Sequence, residues 1–148
     1  MRAFGKTSND RLNTANSDIQ LVMRKSVATC PVDFGIAQGG RTYEQQLEYF
    51  LKGASSLDPR DLKQKEKAKH LHTPSDAVDI YIYIPERNDM MYDKEHLAFV
   101  AGWILCTADR LFREGKIKRK LRWGGNWDGD GILIIDQQLQ DRPHFETI

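Results

Sequence analysis

Apolar side chains recur every three or four residues in three segments, and each segment predicts a helix with one face against a core. The first segment covers residues 8–29, where Asp18, or the Asn or Ser before it, is suited to cap a second helical piece. The last covers residues 97–112 and ends near Gly115. Glycine just past a helix is a common stop signal, and Pro31 ends the first segment.

The middle segment predicts a shorter helix over residues 43–52. Thr42 and Gln45 have the spacing of a capping box, in which each residue satisfies a backbone N–H at the helix start. Gly53 follows the last periodic position and predicts the end of the helix. The apolar residues expected to be buried by this helix are Leu47, Phe50 and Leu51.

Alternating and continuous apolar runs predict strands between these helices. Residues 32–38 alternate, and residues 77–84 form an apolar run that Pro85 closes. A further apolar run covers residues 132–135. Helices and strands mixed in this way, without repeats or a linker, predict one α+β domain spanning residues 1–148.

Composition and charge exclude several classes of protein. Twenty-two basic and 21 acidic residues among 148 give a net charge of +1, which argues against nucleic acid as a partner. The basic run Lys63–Lys69 is interleaved with an acidic residue and contains no aromatic residue, as is typical of a solvated face. No stretch approaches the ~20 apolar residues that span a bilayer. We therefore expect no stable membrane association, no signal peptide and a monomer.

The two cysteines, Cys30 and Cys106, both occur in patterns typical of buried positions. Two free thiols in a reducing cytosol are the simplest interpretation. Because no CxxC pair occurs, a cysteine-rich zinc ribbon is excluded.

Histidine and aspartate side chains supply the clearest candidate chemistry. His70, His72 and Asp79 lie close together in the chain, and Asp79 interrupts an otherwise apolar strand. A buried carboxylate is costly unless it is paired or bound to a metal. His144 lies on another short apolar segment. Two imidazoles and one carboxylate with an open fourth position form the ligand set of a catalytic zinc site, which would permit hydrolysis.

Three more residues are candidates for acid–base and electrostatic roles. Asp141 precedes His144 by three residues and is placed to act as a general base. Glu146 competes for that role, because strand alternation lets it point the same way as His144. Arg41 follows a double glycine at a helix start, where a guanidinium can bind a carboxylate or a developing oxyanion.

A Gly/Asp-rich segment raises the question of calcium. Asp128 and Asp130 alternate with glycines much as in a calcium loop, but the glutamate at the twelfth position of an EF-hand is missing. A plain turn is the favoured interpretation.

Four short blocks, taken together and in order, carry a resemblance to a known family. They are Gln38–Gln46, Lys69–Asp79, Trp123–Trp127 and Asp141–Glu146. This series resembles the VanY-like D-Ala-D-Ala/L-Ala-D-Glu peptidases of the LAS metallopeptidases, in the form found in phage endolysins. The resemblance implies a small α+β domain, similar to the hedgehog fold, whose antiparallel sheet carries a metal site.

The resemblance also implies roles for individual residues. The metal would be one Zn²⁺ per chain, with the ligands His70, Asp79 and His144. Asp141 would be the catalytic acid and base, and Arg41 would stabilise the substrate or the tetrahedral intermediate. The implied substrate-binding residues are Gln38, Trp123 and Trp127.

The first zinc ligand departs from the family pattern. The usual gap of six residues between ligands fits His72 and Asp79, whereas His70 requires a two-residue insertion. Ala68 also stands where the family usually has serine. We take His70 as the ligand, because the segment around it resembles the longer loop variants of the family.

The expected function is therefore a zinc-dependent peptidase that cleaves the L-alanyl-D-glutamate bond of the peptidoglycan stem peptide. We expect an endolysin made in the cytoplasm of the infected bacterium that acts on the periplasmic wall after release. The alternatives are a D-Ala-D-Ala carboxypeptidase and a non-catalytic module that binds wall peptide.

Overall fold

Four strands form one antiparallel sheet in the computed structural model, which describes residues 1–131 and 140–148. The strands are β1 (Phe34–Gln38), β2 (Ala77–Ile82), β3 (Leu121–Trp123) and β4 (His144–Thr147). Their order across the sheet is β1-β2-β4-β3. The last strand of the chain therefore lies between β2 and β3. The predicted α+β class with an antiparallel sheet is confirmed.

Five helices accompany the sheet within the described residues. They are α1 (Lys6–Leu12), α2 (Ser17–Thr29), α3 (Tyr43–Leu51), α4 (Leu62–Lys67) and α5 (Lys94–Arg113). The helical segment predicted over residues 8–29 is divided into α1 and α2, and of the candidate caps for the second piece Asn16 is the one used. The division occurs because Asn16 adopts an extended backbone and its side chain accepts the N–H of Ile19, which starts a new helix.

One face of the sheet packs against α2 and α5 and forms the hydrophobic core. Val78, Ile80 and Ile82 of β2 are fully buried, and Phe145 of β4 lies beside them. Residues that alternate with these point to the opposite face, because successive side chains in a strand point to opposite sides. The second face of β2 and β4 is thus free to carry polar groups.

Helix α3 begins as predicted but buries a different side chain. The capping box of Thr42 and Gln45 is present, and Gly53 follows the helix with a positive φ of 78°. The predicted burial of the helix was wrong for Leu51, which is 65% exposed, while the polar Gln46 is only 1% exposed. Leu47 and Phe50 are intermediate in burial. The cause is that this helix borders a polar pocket.

The other differences from prediction are small. Strand β2 ends at Ile82, two residues earlier than predicted. Cys30 is buried, but the prediction that Cys106 is buried was wrong: it is exposed on α5, away from the apolar face of that helix. The apolar run 132–135 lies outside the described residues. Among the described helices, none is both long enough and apolar enough to cross a bilayer.

Candidate metal centre

Asp79 and His144 meet on the face of the sheet that points away from the core. They are direct cross-strand partners in the pairing of β2 with β4. Asp79 Oδ1 lies 3.2 Å from His144 Nδ1. Their neighbours Val78 and Phe145, which also pair, point into the core. Strand alternation thus places a carboxylate and an imidazole side by side at the same face.

His70 joins this pair from a 3₁₀ turn that precedes β2. The Nε2 atom of His70 is 3.3 Å from Asp79 Oδ1, and its Nδ1 atom donates a hydrogen bond to the carbonyl of Gly39 at 2.7 Å. The backbone N–H of Arg41 in turn donates to the carbonyl of His70. Gly39 has no room for a Cβ atom against the carbonyl of Arg11. This close packing holds the His70 ring in place.

These three side chains fit a metal ion. One potential ligand atom from each of His70, Asp79 and His144 lies within 4.8 Å of the others. The Gly39 carbonyl and the Glu146 carboxylate can only accept hydrogen bonds. The N–H groups of His70 Nδ1 and His144 Nε2 therefore donate to them. A ring that is neutral, as a metal ligand must be, then offers the lone pair of its remaining nitrogen toward Asp79. Imidazole nitrogens and a carboxylate oxygen that face one another in this way suit a cation such as zinc.

The surroundings of the cluster favour positive charge at its centre. Burial alone would lower the pKa of His144, but hydrogen bonds to Asp79 and Glu146 raise that pKa to about 9. Burial likewise opposes ionisation of Asp79, but hydrogen bonds from the two imidazoles hold its pKa far below its usual range. The carboxylate therefore stays ionised, as a metal ligand must be.

His72 lies outside the cluster. Its Nδ1 atom is 2.6 Å from Asp76 Oδ2, and its Nε2 atom is 2.9 Å from the carbonyl of Glu66. Both ring nitrogens are thus used in contacts on the other side of the loop. Of the two candidate histidines, the structure brings only His70 to Asp79.

Asp141 lies at the entrance to β4, close to the cluster. Its Oδ2 atom is 3.9 Å from His144 Nδ1, and its side chain is 46% exposed. The backbone N–H of Asp141 donates to Gly124, and the N–H of Gly124 donates to the carbonyl of His144. A side chain at Gly124 would collide with the carbonyl of Asp141. Burial, and then the negative charge of Asp79, raise the pKa of Asp141.

Arg41 is fixed by two neutral amides. It donates to Gln38 Oε1 at 2.6 Å and to Gln46 Oε1 at 2.6 Å, and its guanidinium lies 4.6 Å from the ring centre of Tyr49. Burial lowers the pKa of Arg41. A β-bulge in β1 pairs Gln38 with Asp79, which brings the amide to the site face of the sheet. The guanidinium is therefore preorganised by neutral groups, and no carboxylate among residues 1–131 and 140–148 hydrogen-bonds to it.

A pocket of about 790 Å³ brings most of the predicted residues together. Trp127 lines it, with its ring centre 5.4 Å from that of His144. Trp123 does not line this pocket. It pairs with Phe145, is buried in the core and donates its indole N–H to the carbonyl of Arg142. Its predicted role in substrate binding has no support from this position. The pocket-lining residues predicted from the sequence are Gln38, Arg41, His70, Asp79, Trp127, Asp141, His144 and Glu146.

The sequence matches the model of the family described as phage L-alanyl-D-glutamate peptidase over residues 1–148. The chain belongs to this family. It is 33% identical over 148 residues to the L-alanyl-D-glutamate peptidase of Escherichia phage T5, a match that covers 98% of this chain and 97% of that protein.

A solved structure supports the same fold. The L-Ala D-Glu endopeptidase ChiX of Serratia marcescens matches with a TM-score of 0.68 and 23% identity. The match covers 99% of this chain and 90% of that chain. Because only 23% of the residues are identical, this likeness establishes the fold of the phage peptidase and nothing further.

Several pocket residues of this family member were missed by sequence reasoning. Arg122, Gln46 and Tyr49 all line the pocket. Arg122 and Trp123 are neighbours in β3, so their side chains point to opposite faces of the sheet. With Trp123 facing the core, this alternation could have placed Arg122 on the face that carries the pocket. Asp128 and Asp130 lie outside any group of described residues that could hold a metal. Their loop continues into residues 132–139, so a calcium site there stays a prediction.

Proposed function

We propose that the chain is a zinc-dependent endopeptidase that cleaves the L-alanyl-D-glutamate bond of the peptidoglycan stem peptide. Membership of the phage L-alanyl-D-glutamate peptidase family supports the bond and the substrate. The observation that carries the metal dependence is the cluster of His70, Asp79 and His144 within an open pocket. A substrate peptide has access to this cluster from the pocket side.

One Zn²⁺ per chain would be held by His70, Asp79 and His144. The donor atoms would be Nε2 of His70, a carboxylate oxygen of Asp79 and Nδ1 of His144, because the other imidazole nitrogens donate to Gly39 and Glu146. Bound zinc would supply Lewis acidity toward the scissile carbonyl and lower the pKa of a water to about 7.

Asp141 would move the proton during hydrolysis. Its carboxylate is close to the ligand His144, lies three residues before it in the chain and is half-exposed to the pocket. A carboxylate in this position takes a proton from the attacking water and returns it to the leaving amine of D-glutamate. The bond between carbon and nitrogen breaks, and the products are a free carboxylate and a free amine.

Arg41 would stabilise negative charge during the reaction. Gln38, Gln46 and Tyr49 hold its guanidinium rigidly, and both hydrogen-bonding partners are neutral. A fixed positive group of this kind stabilises an oxyanion or binds a substrate carboxylate without reorganising during the reaction. A glutamate residue within a peptide keeps one free carboxylate whichever carboxyl continues the chain, so the substrate offers such an anion.

The proposed place of action is the bacterial wall, after the protein has been released from the cytoplasm of the infected cell. Its support is the phage origin of the family and of the relative from phage T5. The substrate of an L-alanyl-D-glutamate peptidase is a wall peptide, and a phage protein that cuts it acts as an endolysin.

The test is digestion of purified peptidoglycan, with mass spectrometry of the fragments. New amino termini at D-glutamate, absent when a chelator is added, are the expected result. Asp141→Asn serves as the inactive control. Release of terminal D-alanine would instead assign a carboxypeptidase. Binding of wall peptide without any cleavage would assign a binding module.

A further inference from the structure

An ion pair between the buried Glu146 and the half-buried Arg122 lies directly behind His144. Glu146 Oε1 is 3.0 Å from His144 Nε2, and Glu146 Oε2 accepts a hydrogen bond from Arg122 at 2.8 Å. The side chain of Glu146 is only 7% exposed. Burying a carboxylate is costly, and removing its partners would leave its charge uncompensated. The reaction proposed above makes no use of this pair.

The register of the sheet builds this arrangement. Asp79 of β2 pairs with His144 of β4, and Arg122 of β3 pairs with Glu146 of β4. His144 and Glu146 are two residues apart, so they share one face of β4. The result is a row of four side chains across three strands, in the order Asp79, His144, Glu146, Arg122.

Both oxygens of Glu146 are engaged in this row. One accepts the N–H of His144, and the other accepts from Arg122. Burial raises the pKa of Glu146, but the hydrogen bonds from His144 and Arg122 lower it by more. The pKa of Glu146 is therefore below its ordinary value. Of the two carboxylates proposed from the sequence as a general base, Asp141 is 46% exposed, whereas Glu146 is 7% exposed with both oxygens engaged.

We propose that Glu146 is a positioning residue for the metal centre and that Arg122 holds it in place. The carboxylate fixes the ring of His144 so that Nδ1 faces Asp79 and His70. Carboxylates that accept the second N–H of a ligating histidine orient the ring and raise its basicity, and their loss weakens metal binding about 10–100-fold. This inference rests on the metal site of the proposed function.

Trp127 covers the same row from the pocket side. Its ring centre lies 5.3 Å from the guanidinium of Arg122 and 5.4 Å from the ring centre of His144. The aromatic ring thus packs against the two residues that donate hydrogen bonds to Glu146.

The experiment measures zinc dissociation constants by competition with a chromogenic chelator. The variants are Glu146→Ala, Glu146→Gln and Arg122→Met, with Glu114→Gln as the matched control. Glu114 is also paired with basic side chains, Arg110 and Lys116, but lies at the end of α5. We expect about a 10–100-fold loss of affinity for Glu146→Ala. Glu146→Gln should lose less, because its amide oxygen still accepts the N–H of His144.

Two further readouts separate positioning from general stability. The thermal midpoint of each metal-free variant reports any damage to the fold. The visible spectrum of the Co²⁺-loaded protein reports the ligand geometry, and it should change in Glu146→Ala and remain as in the wild type in Glu114→Gln. If Glu146→Ala does not fold, Glu146→Gln and Arg122→Met decide, and both should bind zinc more weakly than Glu114→Gln does.

The outcomes distinguish this inference from the proposed function. Folded Glu146 variants with wild-type zinc affinity and an unchanged cobalt spectrum would overturn the positioning role alone. If the wild type binds zinc and the variants lose affinity as expected, but the wild type cleaves no peptide, only the proposed function is overturned. A wild-type protein that binds no zinc would overturn both.

Discussion

Asp79 and His144 lie directly opposite each other on β2 and β4, with Asp79 Oδ1 3.2 Å from His144 Nδ1. The two residues are 65 positions apart in the chain, and the antiparallel pairing of the two strands brings them together. A shift of β4 by one residue in this register would turn His144 toward the core and away from Asp79. The metal centre therefore depends on the packing of Val78 and Phe145 beneath it.

The two neighbouring histidines should differ sharply in their effect on metal binding. His70→Ala should weaken zinc affinity by more than about 100-fold, since loss of a ligand exceeds the loss of an outer partner. His72→Ala should bind zinc as the wild type does, because His72 contacts Asp76 and the Glu66 carbonyl. Competition with a chelator measures both. Equal losses in the two variants would contradict this assignment.

Asp141 should be needed for turnover and not for metal binding. Asp141→Asn keeps the shape of the side chain but removes the proton acceptor, so kcat should fall about 10²–10⁴-fold. Zinc content should stay at one per chain, because the three ligands are untouched. A kinetic assay with stem peptide, together with metal analysis of the same sample, checks both statements. Wild-type kcat in this variant would remove Asp141 from the mechanism.

Arg41 should not be replaceable by lysine. Two amides and the ring of Tyr49 hold the planar guanidinium, and an ammonium cannot reproduce this geometry. Removal of one preorganised electrostatic group lowers kcat/KM by about 10²–10³-fold. Arg113→Lys, at an exposed ion pair with Asp109, is the matched control and should leave kcat/KM unchanged. Similar kinetics for the two variants would refute the role of Arg41.

Asp76 should stabilise the fold in a pH-dependent manner. Burial raises its pKa, but hydrogen bonds from His72, Asn16 and Arg119 lower the pKa by more. The pKa of Asp76 in the folded protein is therefore below the ordinary value. Such a group contributes stability that is fully present above about pH 4 and is lost as pH falls through the folded pKa. Asp76→Asn should therefore cost about 1–3 kcal/mol at neutral pH and less in acid.

Urea unfolding at pH 7 and pH 3 measures this difference. The control is Asp109→Asn, whose side chain is exposed and pairs only across one turn of α5. That variant should unfold within about 0.5 kcal/mol of the wild type at either pH. A cost for Asp76→Asn that is the same at both pH values would show that the ionised carboxylate is not the source of the stability.

Much of this centre is predictable because its residues interrupt simple patterns. Asp79 stands out in an apolar strand, and His144 in an apolar tail, so both were recognisable before their contact was known. The role of Arg122 was not predictable in the same way. Its partner Glu146 is 24 residues away, and their contact depends on how β3 aligns with β4. Register between distant strands is set by tertiary packing and not by local sequence.

Gln46 shows a second limit of the sequence. Periodicity predicts which face of a helix is apolar, and it assumes that this face packs against the core. In α3 the polar Gln46 is buried instead. It donates to Ser55 and to the Leu57 carbonyl and accepts from Arg41. A helix that forms the wall of a polar pocket therefore violates the assumption, and Leu51 is left exposed.

The most direct test adds zinc in steps to the metal-free protein and counts the new D-glutamate amino termini formed from stem peptide. The proposed centre predicts no cleavage at first, a rise with added zinc, and a plateau at one zinc per chain. His70→Ala should show no rise over the same range. Full cleavage by the metal-free protein, or a bond other than L-alanyl-D-glutamate at the plateau, would contradict it.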